Sequence, residues 1–107
     1  MTNRLRVIFK HQEGLMRRLG IERNYENIRT CFTAAVVELS EFMQEINWKP
    51  WKNTKKDENR AKILEELVDV LHFYVELCIL MGFDSEEIFH AYEAKMEVNH
   101  KRQDVKY

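Results

Sequence analysis

The chain has 107 residues, 45% apolar and 33% charged, with a formal net charge of −1, which fits one domain over residues 1–107 with a single modest core. A net charge this small excludes broad attraction to nucleic acid or acidic membranes, and 3 Gly with 1 Pro exclude a turn-rich all-β chain and a disordered one. Cys31 and Cys78 fall in apolar stretches without a CxxC or Cys/His grouping, as expected for reduced core residues of a cytoplasmic protein.

Near the N-terminus, Leu5, Ile8, Phe9, Gln12, Leu15, Met16 and Leu19 recur at helical spacing before Gly20, predicting helix α1 over about residues 3–18. The opening residues lack the apolar run of a signal peptide. Gln12 lies among apolar positions rather than with Arg4, Arg6 and Lys10. It reads as an amide at the edge of the core, or as one that contacts a base or sugar.

Helix α2 is predicted over about residues 25–46. Ile28, Phe32, Ala35, Val36, Leu39, Phe42, Met43 and Ile46 form a wide stripe within roughly 60° of Leu39 at about 100° per residue, and this stripe is expected to face the core. Glu38, Glu41 and Glu45 fall together off that stripe. By itself that side reads as a solvated acidic face, although Ala34 and Val37 make it partly apolar.

Residues 47–59 form the one long irregular stretch, where Pro50 prevents simple continuation of the helix. Trp48 and Trp51 alternate with Lys49, Lys52, Lys55 and Lys56. Such a loop can stack a base on an indole while its lysines neutralise phosphates, or it can be a lid whose indoles pack on the core.

Helix α3 is predicted over about residues 58–81, ending at Gly82. Beyond Leu64 it is apolar almost all round, so it needs burial on every side, which four helices of one short chain do not easily provide. An oligomer with this helix at its centre is therefore expected. Glu65, Asp69, His72 and Glu76 form a polar stripe along the same helix, and they break the most apolar segment, so no membrane span is expected.

Helix α4 is predicted from an Asp84/Glu87 capping box to about residue 102, with Ile88, Ala91, Tyr92 and Met96 as its apolar side. Lys95, Asn99 and Arg102 form a stripe of donors. They read either as a basic turn that complements the helix dipole or as an anion clamp. The elements together make an all-α, four-helix bundle.

Two acidic pairs, Glu38/Glu41 and Glu66/Asp69, repeat one i,i+3 spacing on two largely apolar helices. Ionised carboxylates on such surfaces need a compensating cation. Four of them suit a hard divalent ion such as Mg2+, with two or more ions per site. The chain has no GxxxxGK[ST] loop, so phosphates would be held by metal and basic side chains.

In order, Glu38-x-x-Glu41, Trp48-Lys49-Pro50-Trp51-Lys52, Glu66-x-x-Asp69, Leu71-His72-Phe73 and Lys95-x-x-x-Asn99-x-x-Arg102-Gln103-x-x-x-Tyr107 resemble the motifs of the all-α nucleoside triphosphate pyrophosphatases. These are the MazG-like enzymes, and the resemblance is closest to the dimeric dUTPases. It covers the chain from Gln12 to the last residue. The resemblance implies Mg2+-dependent cleavage of dUTP to dUMP and pyrophosphate. Glu38, Glu41, Glu66 and Asp69 would be the metal ligands, with Glu38 and Glu41 catalytic and Glu41 orienting the attacking water. Lys49, Lys52, Lys95, Asn99 and Arg102 would bind phosphates, and Gln12, Trp48, Trp51, His72 and Phe73 the base and sugar. The chain is shorter than many members of that family, which implies a base pocket completed by a second subunit of a homodimer or tetramer.

Two alternatives stand beside this reading. One is a MazG-like enzyme that removes dCTP or a non-standard nucleotide through the same metal site. The other is a di-iron carboxylate bundle, suggested by Asp69-x-x-His72 and Glu87-x-x-His90, which leaves the Trp/Lys loop without a role.

Overall fold

The computed structural model describes residues 3–105, in which four helices and no strand are present: α1 (Arg4–Leu19), α2 (Tyr25–Gln44), α3 (Arg60–Leu80) and α4 (Ser85–Asp104). These are the four predicted elements, with ends displaced by less than a turn. Tyr107, the last residue of the C-terminal motif, lies outside the described residues.

Local side chains set the helix ends. The Asn3, Asn24 and Asn59 side chains accept hydrogen bonds from the backbone N–H of Arg6, Asn27 and Lys62, satisfying donors that the first turns leave open. Asp84 and Glu87 form the expected reciprocal capping box. Gly20 closes α1 at φ 68°, in the left-handed region that disfavours a side chain.

Gly82, just beyond α3, has φ 86°, and the Arg23 guanidinium lies 2.9 to 3.1 Å from where a Cβ would sit. Arg23 Nη2 donates to the Met81 carbonyl at 3.2 Å, so one residue covers both the turn and the end of α3. Gly82→Ala is expected to destabilise the fold by about 1–2 kcal/mol, from positive-φ strain plus displacement of Arg23. That corresponds to a fall in melting temperature of roughly 4–8 °C per kcal/mol, readable by thermal denaturation. An unchanged melting temperature would show that Arg23 yields freely.

Helices α2 and α3, joined by the Trp/Lys loop, pack along each other more extensively than any other pair, while α1 lies on α3 and α4 contacts α1. The α2–α3 pair runs antiparallel: the Cys31 thiol meets the Phe73 carbonyl, and Glu38 meets Glu66 and Asp69. The core is two small clusters. Phe9, Val75 and Cys78 form one, with Leu5, Ile79 and Ile88 against it. Met16, Cys31 and Leu80 form the other, with Ile28, Phe73 and Leu77 among its neighbours.

This core is thin, and the chain is open. The radius of gyration is 17.3 Å, where about 13 Å is usual for this length. The accessible surface is 8872 Å², where roughly 6,300 Å² is usual for a folded chain of 13.0 kDa.

The excess surface corrects one expectation. The stripe of α2 expected to face the core is only partly covered in the single chain: Phe32, Val36 and Leu39 are exposed, whereas Ile28 packs on the second core cluster and Ala35, Phe42, Met43 and Ile46 are half-buried. The side that packs on α3 is instead Cys31, Ala34 and Glu38. Leu64, Leu67, Val68, Leu71 and Tyr74 form a second exposed apolar stripe, on α3. Helical periodicity identifies an apolar face but not what covers it.

Candidate metal centre and adjoining cavity

The inward side of α2 carries Cys31, Ala34 and Glu38, and the facing side of α3 carries Glu66, Asp69, Phe73 and Glu76. At i, i+3 and i+7 spacing each set occupies one helix face. Antiparallel packing therefore brings both acidic pairs to one level. Carboxylate oxygens of Glu38, Glu66 and Asp69 lie within 4.8 Å of one another.

Glu66 is 5% exposed, and Glu38 and Asp69 are half-buried. Glu38 Oε2 and Glu66 Oε2 are buried with no hydrogen-bond partner among the described residues. Two orphaned acceptors in a converging carboxylate set are what a divalent cation would satisfy, so the residues present fit one. Burial, together with a hydrogen bond and charge from Glu41 and the charges of Asp69 and Glu66, pushes the Glu38 carboxyl up to about 7.

Glu41, the fourth expected ligand, is not in the tight group. It is exposed at the rim, beside Glu38. Glu65, the first residue of the expected polar stripe on α3, also points outward, and buried Glu66 takes the inward position. Lys62, which the motifs did not single out, holds Glu66 Oε1 at 3.1 Å. That hydrogen bond, then the charges of Glu65, Glu66 and Glu45, raise its ammonium above its ordinary range. The i,i+4 spacing of Lys62 and Glu66 is the sequence signal that would have revealed it.

A cavity of about 530 Å³ opens beside the carboxylates, within the range of small-molecule sites. Glu38 and Asp69 line one part of it, and Gln12, Cys31, His72, Phe73 and Glu76 line the rest. Gln12 is 7% exposed, and its Nε2 donates to Glu76 Oε1 at 3.2 Å. It is therefore a buried wall residue rather than an amide at the edge of the core. Cys31 Sγ donates to the Phe73 carbonyl at 3.3 Å. Burial, with Glu76 beside it, pushes the Cys31 thiol up to about 12. Thr30 and Asn27, one and two turns from Ala34, complete the α2 side and were not anticipated.

The Trp/Lys loop forms a separate hollow of about 230 Å³ lined by Trp48, Lys49, Lys52, Lys55 and Lys56 among others. It is stapled on Asn47, whose backbone N–H donates to Glu58 Oε2 at 2.8 Å and whose side chain bonds the backbone of Lys56 in both directions. Lys56 Nζ donates to the Gln44 carbonyl at the end of α2, placing a cation where the helix dipole favours it. Trp48 and Trp51 meet edge to face at 5.7 Å, with the Lys49 ammonium 5.6 Å from the Trp48 ring centre. Neither indole lines the larger cavity within this chain.

Lys95 and Asn99 are exposed on α4, and Arg102 is half-buried there. None of the three lines that cavity. Glu87 is engaged in the helix cap, and His90 lies 3.6 Å from Glu86. The metal group found among the described residues is all carboxylate and contains no histidine. The di-iron alternative thus loses its second Glu-x-x-His pair. No described helix is long and apolar enough to cross a membrane.

A dCTP pyrophosphatase of Enterobacteria phage LZ5 is 35% identical over 71 residues, covering 56% of this chain and 41% of the relative. A dCTP pyrophosphatase of Enterobacteria phage T4 is 34% identical over 71 residues, covering 56% and 42%. The chain thus spans about two fifths of the length of these curated relatives. No solved structure matches it significantly. The profile of the family described as dUTPase matches residues 4–81 and 74–107, nearly the whole sequence, and the chain therefore belongs to the all-α dUTPase family.

Proposed function

We propose that this protein is a Mg2+-dependent pyrophosphohydrolase of pyrimidine deoxynucleoside triphosphates, cleaving between the α- and β-phosphates to release a monophosphate and pyrophosphate. The observation that carries this reading is the meeting of Glu38, Glu66 and Asp69 within 4.8 Å beside a nucleoside-sized cavity. Glu38, Glu66 and Asp69 would hold the metal, with Glu41 able to join them from the rim. Mg2+ bound there supplies Lewis-acid stabilisation of phosphoryl charge and lowers the pKa of a bound water.

The chain's own residues give the site a direction. The Trp/Lys loop lies past the C-terminal end of α2, where Lys49 and Lys52 can take up the β- and γ-phosphates. In the other direction, Asp69 and Glu76 are seven residues apart on α3, about 10 Å along a helix, which is room for a sugar and base. Phe73 and His72 would bracket the sugar and Gln12 the base, while Glu41 orients the attacking water.

The open surface supports a homodimer, or a tetramer of two such pairs, seated on the outward stripes of α2 and α3. A second copy would also bring Trp48, Trp51 and the Lys95, Asn99 and Arg102 stripe within reach of a neighbouring cavity. Two free, buried cysteines suit the reducing cytoplasm.

The family description favours dUTP as substrate, whereas the names of the two phage relatives favour dCTP as a second reading. A panel of nucleoside triphosphates with Mg2+, followed by pyrophosphate release, tests the proposal. Pyrophosphate and monophosphate from a pyrimidine deoxynucleotide are expected, with no turnover in chelator. Release of inorganic phosphate instead, or turnover without a divalent ion, would overturn it.

A further inference from the structure

One carboxylate of the metal centre already has a cation. Lys62 lies one turn before Glu66 on α3, and its Nζ is 3.1 Å from Glu66 Oε1. The Glu66 side chain is 7% exposed, whereas that of Lys62 is 43% exposed. A carboxylate buried to that degree is costly to keep unless it is paired. Lys62 serves only one of its oxygens, since Glu66 Oε2 is buried with no hydrogen-bond partner among the described residues.

The pairing is also easy to undo from the lysine side. Its ammonium ends a flexible four-carbon stem and is open to solvent over much of its surface. A second carboxylate oxygen, Glu65 Oε2, lies 3.9 Å away on the outer side, with a side chain 66% exposed. Glu45, at the end of α2, attracts the same ammonium. Lys62 can thus turn outward and still have carboxylates beside it.

Resting on the proposed Mg2+ centre, we propose that Lys62 is the resident counter-cation of the metal-free site and competes with Mg2+ for Glu66. The ion gains Glu66 either against the repulsion of the neighbouring ammonium or after Lys62 has turned to Glu65. Lys62 is therefore a positioning residue that acts through Glu66. The consequence is a centre that stays assembled while empty and takes up its ion reversibly. An ion pair that merely held the fold would leave metal affinity alone or weaken it when broken. Loss of the Lys62 charge should do the opposite.

The test measures Mg2+ binding to the full chain without nucleotide, by calorimetry and by melting temperature with and without Mg2+. Two unit charges about 4 Å apart in a water-like medium shift an equilibrium by roughly fivefold, and Mg2+ carries two charges. Lys62→Met is accordingly expected to bind Mg2+ about tenfold more tightly than the unaltered protein. Without metal it should melt lower, because Glu66 loses its partner, and the difference should narrow as Mg2+ is added. Lys62→Gln keeps a donor for Glu66 Oε1 but not the charge. It serves if Lys62→Met fails to fold, and should share the tighter binding. Lys62→Arg keeps the charge and should keep the weaker binding. Mg2+ affinity that is unchanged or lower in the folded uncharged variants overturns this inference and leaves the metal centre standing. Absence of Mg2+ binding in the unaltered protein and in every variant overturns both.

Discussion

Glu38→Gln is expected to raise the melting temperature of the metal-free protein at pH 8 while lowering Mg2+-dependent nucleotide hydrolysis by about 100-fold or more. The two effects share one cause. Burial and the charges of Glu41, Asp69 and Glu66 push the Glu38 carboxyl from 4.5 up to about 7. Between those values the folded chain holds a proton that the unfolded chain has released, so stability falls as pH rises through that window. Glutamine removes the charge and keeps the shape, so the variant should lose little stability between pH 5 and pH 8. Added Mg2+ should raise the melting temperature of the parent most clearly at pH 8 and that of the variant much less. Asp69→Asn should match the loss of turnover. A variant that melts like its parent at pH 8, or that keeps its turnover, would remove Glu38 from the metal centre.

Light scattering is expected to give twice or four times 13.0 kDa, and charging the outward stripe of α3 with Leu67→Lys and Leu71→Lys is expected to break the assembly and much of the fold. The described chain exposes roughly 2,500 Å² more than a compact chain of its mass. Specific interfaces bury about 1,200–2,000 Å² between both partners, and obligate ones more. Phe32, 60% exposed, and Leu64, 62% exposed, are the kind of large apolar groups that a monomer does not leave in contiguous stripes. Phe32→Lys on α2 serves as a milder variant, expected to shift the equilibrium toward monomer at micromolar concentration. A stable, cooperative monomer in the unaltered protein would show that these stripes need no cover.

Much of this molecule is legible in its sequence. The four helices follow from periodicity and from their stops: Gly20, the stretch after Gln44 broken by Pro50, Gly82, and the Asp84/Glu87 box. The acidic pairs are legible because i,i+3 spacing puts two carboxylates on one helix face wherever that helix goes. The pairing of Gln12 with Glu76 was less legible, although Glu76 belongs to the polar stripe of α3 and Gln12 stands out among the apolar positions of α1. A buried polar pair separated by 64 positions has no local signature.

Helix identity, helix ends and the division of each helix into acidic and apolar sides belong to the sequence, because they depend on interactions within a few residues. The direction those sides face belongs to the tertiary structure. Packing along α3 turns the Glu38 side of α2 inward and leaves Phe32, Val36 and Leu39 outside, although amphipathicity alone places those three on the core side. It brings Glu66 and Asp69 to Glu38 and joins Gln12 to Glu76. It also keeps Trp48 and Trp51 out of the large cavity of their own chain. The physical reason is that burial rewards whichever face finds a complementary surface, and the carboxylate face of α2 finds the matching face of α3.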